Sequence, residues 1–193
     1  FGLGKISYSY DLTKRGKIKN HFKAINNHSK FHLKSIHEKS KNKINNFINN
    51  HKINNLNINT SSSFSKNDLV IIGVNTSKQY KILNKIINYS NVKTILCEKP
   101  FTDNLNDQKK IIKLCRKKKI KLFVNFIRAS DPNYLKIYNF LKNSKKNKFH
   151  IKVYFNNGIL NNSSHYINFL LKCFGKPKRY KILKINKIKK IKG

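Results

Sequence analysis

Lys99 stands where a short apolar run stops, in NVKTILCEKPF (Asn91 to Phe101), between Glu98 and Pro100. Pro100 has no N–H and disfavours the helical region for Lys99, so the backbone that aims the lysine is stiffened. The run Thr94-Ile95-Leu96-Cys97 predicts a buried parallel strand. In open α/β sheets ligands bind beyond the carboxyl ends of such strands, which would put Lys99 in a crevice. A strand followed by a solvated turn explains the tripeptide alone equally well. The second candidate is His165 in GILNNSSHYINFLL, Gly158 to Leu171, although a lone histidine in a capping turn is more often structural than catalytic. It opens a helix expected over His165 to Phe174, with Ser163 or Ser164 as its cap. The positive end of a helix favours a neutral imidazole, the form a general base needs. Ile167, Leu170, Leu171 and Phe174 form the predicted buried stripe, leaving His165 on a more polar edge.

A third group binds rather than reacts. FGLGKIS has the G-x-G-x-x-small pattern without a strand ahead of it: Gly2 for the tight turn, Gly4 for close approach to a pyrophosphate, Ser7 for packing helix on strand. A helix is expected from Lys5 to about Asn20. Phe22 to Asn27 is the expected second strand, and Asn27 occupies the place of the acid that would accept hydrogen bonds from the ribose of NAD. With His28, Ser29 and Lys30 beside it, the reading leans to NADP, although a drift from Asp to Asn would look identical.

The strand ending in E-K-P, the following helix and LFVNFIRASDP (Leu122 to Pro132) together resemble the Gfo/Idh/MocA family of nicotinamide-dependent sugar and polyol oxidoreductases. So do Gly2 and Gly4, DLVIIGVNTS (Asp68 to Ser77) and GILNNSSHYINFLL, in this order. The resemblance implies a cofactor, NAD or NADP, held by Gly2, Gly4, Ser7, Asn27, Val74, Asn75, Glu98, Lys99 and Arg128. It further implies that His165 takes a hydroxyl proton, that Lys99 bonds the same reacting oxygen and the cofactor ribose, and that Asn161 orients the substrate. Family members commonly carry Pro at Asn75, His at Gln79 and Asp at Asn161, so the chain departs from the pattern at three positions. The family also runs further, which makes the chain look truncated at both ends.

The elements needed to position these residues read as α/β: a Rossmann-type doubly wound parallel sheet over 1–126 lacking its first strand, then the start of an α+β C-terminal domain over 127–193. Leu69 to Val74 and Lys121 to Phe126 are the strands beside the E-K-P strand, with a helix from Lys78 to Tyr89 between the first two. A helix begins near Asn104 with Leu105, Ile111, Ile112 and Cys115 toward the sheet. Asp131 caps another whose Pro132 sits at its first position, with Tyr134, Ile137, Tyr138 and Leu141 as its apolar stripe. Arg128, just before that cap, equally suits a structural pairing with a carboxylate. His150 to Phe155 is an expected strand, and the tail from Tyr180 an edge strand running into a basic end. The region from about Ser35 to Asn67 is low in complexity. Its neighbourhood holds His32, His37 and His51, read as solvated, with no metal site.

Composition sets the remaining bounds. The chain has 193 residues, 43 basic and 7 acidic, a formal charge of +36. Such a field attracts polyanions without sequence preference, yet the lysines are spread along the whole chain rather than gathered in one patch. Cys97, Cys115 and Cys173 lack metal-ligand spacing and read as small buried hydrophobes of a reducing cytosol. No apolar stretch of about 18 residues suggests a membrane span. The expectation is a cytoplasmic oxidoreductase moving hydride between NAD(P) and a carbinol carbon of a sugar, sugar nucleotide or polyol, as a possible homo-oligomer. The alternatives are a basic polyanion-binding protein and an inactive fragment of the same fold.

Overall fold

A computed structural model describes residues 1–10, 18–51, 56–58, 67–144, 148–156 and 158–181. The chain divides into two compact units, Phe1–Asn125 and Phe126–Gly193.

In the first unit the apolar runs become parallel strands. β3 (Leu69–Ile72), β4 (Thr94–Glu98) and β5 (Lys121–Asn125) pair in that order, with Ile72 opposite Cys97 and Glu98 opposite Asn125. β1 (Ser35–Ile36) and β2 (Asn57–Ile58) form a second parallel pair. Two residues join the pairs. The Phe1 nitrogen donates to the Ile71 carbonyl (2.7 Å), the Gly73 N–H donates to the Phe1 carbonyl (2.9 Å), and the Gly2 N–H donates to the His37 carbonyl (2.8 Å). That is the slanted pattern of parallel pairing. Across the sheet the order is therefore β2, β1, Phe1–Gly2, β3, β4, β5, the doubly wound order whose direction of travel reverses beside Phe1–Gly2.

The helices follow their caps and apolar faces. α3 (Thr76–Tyr89) and α4 (Leu105–Lys117) bury Leu83, Ile86, Ile87, Ile111 and Cys115 against Val70, Ile72, Ile95 and Cys97 of the strands. Asn104 caps α4 by accepting from the amides of Asn106 and Asp107. Leu105 and Ile112 are exposed instead of facing the sheet, because the inward face of this helix runs through Ile111 and Cys115 with Leu114 packed beside them. A smaller core gathers Leu3, Tyr8, Ile36, Ile44 and Phe47 around α2 (Lys41–His51).

Three further expectations fail in the first unit. Phe22 to Asn27 is not a strand but lies within α1 (His21–Asn26) and its C-terminal cap, because the Asn20 side chain accepts from the Lys23 N–H and starts a helix. The second strand is β1, so Asn27 is a helix cap and not a strand end. The first helix is a single π-helical turn, Lys5–Ser9, and Ile18 to Asn20 are non-helical; 11–17 lie outside the described residues. His51 and His37 are also not simply solvated: His51 packs among Tyr8, Phe22 and Phe47, and His37 stacks on Phe1 at 4.3 Å. Among the described residues no group of three His, Cys, Asp or Glu gathers as for a metal.

In the second unit, α5 (Pro132–Asn143) starts as its sequence demands, Asp131 accepting from the amides of Asn133 and Tyr134. Leu141 is buried on it whereas Ile137 is exposed. The residues from His150 to Phe155 are irregular rather than a strand, and they pair with no strand among the described residues, so their alternating pattern has no ladder to join. α6 (Ser164–Phe174) follows the π-helical turn Ile159–Ser163. The tail expected from Tyr180 falls beyond Lys181 outside the described residues. No described helix is long and apolar enough to cross a membrane.

Candidate dinucleotide site

Gly2 sits at the point where strand order reverses, with φ of +85°. A side chain there would meet Val74 Cγ1 at 2.7 Å and the Gly73 carbonyl oxygen at 2.9 Å, so glycine is required both by conformation and by contact. Gly4 differs. A Cβ on it would meet the Gly73 oxygen at an ordinary 3.6 Å, so nothing inside the described protein demands glycine there. Room for close approach of a ligand backbone is the remaining reason for it. The Ser7 hydroxyl packs directly on the Gly73 Cα, which closes the turn onto β3. Val74 and Asn75 form the turn between β3 and α3, where Asn75 is the residue before the helix and makes no side-chain cap.

The acid that sequence reasoning missed is Glu38, two residues beyond β1 and next to this turn. One carboxylate oxygen accepts from the Leu3 N–H (2.8 Å), the other from the amides of Lys39 (2.8 Å) and Ser40 (3.1 Å). Burial pushes the Glu38 carboxyl up, but those amides and the Lys43 cation outweigh it and hold the group below the usual carboxylate range. A carboxylate offers about four acceptor positions, and the three amides leave about one of them for a further donor. The signal was present: Glu38 is the only acid between Asp11 and Asp68. These residues fit a dinucleotide, with Gly2 making the turn, Gly4 leaving space and Glu38 standing where the ribose is read.

Across the strand ends, β4 stops at Glu98 and the loop Lys99–Pro100 follows with a cis peptide bond. The Glu98 carboxylate receives the Asn125 amide (2.6 Å) and meets His21 Nε2 at 2.7 Å. Burial raises this carboxyl, yet hydrogen bonds from His21 and Asn125, with the His21 and Lys99 charges, bring it below its ordinary value. Glu98 is therefore occupied with α1 and β5. Nothing in the sequence pointed to His21, which lies 77 positions away. Lys99 is half-buried in the loop just beyond. A cavity of about 640 Å³ is lined by Gly2, Leu3 and Ser7 of the glycine turn and by Ile36, Leu69 and Ile71. It reaches Gly2 and Ser7 but neither Lys99 nor Asn75, so it covers only the glycine-turn end of the candidate site.

In the second unit His165 lies on the buried face of α6 with Phe169, contrary to the polar edge expected, while Ile167, Leu171 and Phe174 are exposed. Its ring stands edge-on to Phe126, 5.9 Å between centroids. Ser163 does not cap the helix; its hydroxyl donates to the Ile159 carbonyl. The Arg128 guanidinium donates to Asn162 Oδ1 (3.1 Å) and lies 4.4 Å over the Tyr166 ring, a packed role instead of pairing with a carboxylate. Asn161 belongs to the turn Ile159–Ser163.

A glycine turn at the reversal of a parallel sheet, with an acid beyond the next strand, defines a dinucleotide-binding α/β domain. Residues 15–126 match the model of the oxidoreductase family with an NAD-binding Rossmann fold, Gfo/Idh/MocA, and the chain belongs to that family. No curated protein sequence matches the chain. Among solved structures it is similar to a candidate oxidoreductase from Bacteroides fragilis NCTC 9343 (21% identity, TM-score 0.64, 92% of this chain and 50% of that one). It is also similar to a candidate myo-inositol dehydrogenase from Sinorhizobium meliloti 1021 (16%, 0.65, 80% and 51%). A third is KijD10, a 3-ketoreductase from Actinomadura kijaniata in complex with TDP-benzene and NADP (13%, 0.62, 79% and 51%). The chain spans about half the length of these structures.

Proposed function

We propose that the chain is the dinucleotide-binding part of an oxidoreductase that moves hydride between a nicotinamide cofactor and a carbinol carbon of a sugar, sugar nucleotide or polyol. The observation that carries the reading is the Glu38 carboxylate bonded to the Leu3 amide of the glycine turn. That acid favours NAD, since a 2′-phosphate would meet a carboxylate already held in its charged form. The lean to NADP rested on Asn27 with His28, Ser29 and Lys30, and Asn27 caps a helix instead of ending a strand. A bound nicotinamide supplies the hydride chemistry. Around it, Gly2, Gly4 and Ser7 shape the turn, Val74 and Asn75 form the lip of β3, and Glu38 holds the ribose hydroxyls. Lys99 donates to the reacting oxygen and stabilises charge there, and His165 takes the hydroxyl proton, its ring kept in place by the edge contact with Phe126. Asn161 orients the substrate. The roles of Lys99, His165 and Asn161 rest on family likeness, and the substrate class on the sugar-related relatives.

Titration calorimetry with NAD and NADP tests the cofactor half: heat with NAD and less with NADP is expected, and no heat with either removes the reading. Turnover of a sugar and polyol panel tests the rest, with Lys99→Ala expected to lose on the order of 10²–10³ in rate. Activity that survives both Lys99→Ala and His165→Asn would remove the site assignment.

A further inference from the structure

We propose that Gln79 is the positioning residue for Lys99, acting as a neutral donor that joins the turn after β3 to the loop after β4. The proposal rests on Lys99 being the functional lysine. Gln79 is only 1% exposed. Its Nε2 lies 3.4 Å from the Val74 carbonyl oxygen, 3.2 Å from that of Glu98 and 3.3 Å from that of Pro100. The reversed amide would set an acceptor against three acceptors, so chemistry fixes its orientation. Its Oε1 is buried with no hydrogen-bond partner among the described residues, so the side chain bonds through its nitrogen.

The carbonyls chosen give the contact its meaning. The Glu98 carbonyl lies in the peptide plane that enters Lys99 and the Pro100 carbonyl one residue after it, so holding both fixes the loop on either side of the lysine and limits the directions its side chain takes. The third belongs to Val74, whose Cγ1 is the atom a side chain at Gly2 would strike. One carboxamide thus ties the lysine loop to the wall of the glycine turn. Because an amide does not titrate, the tie holds equally across pH.

Lys99 labelling by reductive methylation, quantified by peptide mass spectrometry on the full chain without cofactor, tests this. Gln79→Met keeps the volume and removes the donors, whereas Gln79→His returns one N–H. Losing a hydrogen bond of ordinary strength raises local opening roughly fivefold, and the Lys99 labelling rate with it. Expected is that rise in Gln79→Met, its reversal in Gln79→His, an unchanged rate at exposed Lys93 and silence of buried Cys97 toward alkylation. Unchanged Lys99 labelling in Gln79→Met overturns the proposal. So does a rise accompanied by Cys97 alkylation, and so does Gln79→His labelling as fast as Gln79→Met. No cofactor enters the measurement, so failed NAD binding would remove the proposed function without touching this result.

Discussion

Replacing Glu38 by Gln probes the cofactor reading and the fold together. The wild-type side chain, 12% exposed, satisfies three amides with two oxygens. Glutamine has one acceptor. If its oxygen stays with Lys39 and Ser40, its NH₂ faces the Leu3 N–H, donor against donor, and the glycine turn loses its anchor. One charge-assisted bond lost, with its donor left unpaired, costs about 1.5–3 kcal/mol. For a unit of this size that lowers Tm by roughly 5–10 °C. The ribose contact weakens at the same time, so NAD affinity should fall by about tenfold or more, while NADP, no longer opposed by a carboxylate, loses less. Differential scanning calorimetry and titration with both cofactors read the two effects. A Tm within about 2 °C of wild type together with an unchanged NAD to NADP ratio would refute the reasoning about Glu38.

Stability should fall as pH drops, in two stages. Burial, the nearby terminal ammonium and Lys85 lower His37 from 6.5 to about 4, so between those values the unfolded state takes up a proton that the folded state refuses, and stability is lost. Glu38 and Glu98 are held below 4.5 in the folded state, so their contribution, present above 4.5, is lost as pH falls through their folded values. Denaturant midpoints measured against pH should show both stages, with His37→Phe removing the upper one. Burial, Cys115 and Glu98 push the Cys97 thiol up to about 12, so a thiol reagent near neutral pH should leave it unmodified until the chain unfolds. Nucleic-acid binding, where observed, should be indifferent to sequence and fall steeply with salt, as a charge of +36 dictates; a filter titration showing sequence preference at moderate salt would favour the polyanion-binding alternative.

What was legible in the sequence was written in unmixed signals. Leu69–Ile72 is a continuous apolar run and Thr94–Glu98 has one at its centre, and Asn104 and Asp131 are caps followed by helix-length patterns, so these strands and helices came out where expected. β1 was hidden because its segment, LKSIHE, alternates through Lys, Ser and His, while FKAINN mimics a strand and is made helical by Asn20 just outside it. In α6 the longer stripe of Ile167, Leu171 and Phe174 looked like core, but His165 and Phe169 face inward; periodicity marks a face without saying which face has something to pack on. The partners of Glu98 and Gln79 were beyond reach for another reason. Their contacts span 77, 27 and 19 positions, and no local pattern encodes a meeting of that range.

The two halves of the described sheet meet at Phe1 and Gly2. Between β1 with its α2 core and β3 to β5 with theirs, the main-chain links made by Phe1 and Gly2 are the bonds to Ile71, Gly73 and His37. The contact of His21 with Glu98 is a further link across these two. Elements with separate cores open as separate foldons. The amides of β4, bonded on both sides, should therefore exchange with solvent only on global unfolding, while Gly2 and the β1 side exchange earlier. A dinucleotide held by Gly2, Glu38 and the lip of β3 would straddle this seam. Its binding would then register less as a local clamp than as a gain in cooperativity, drawing the early-exchanging half up toward the protection of the late one.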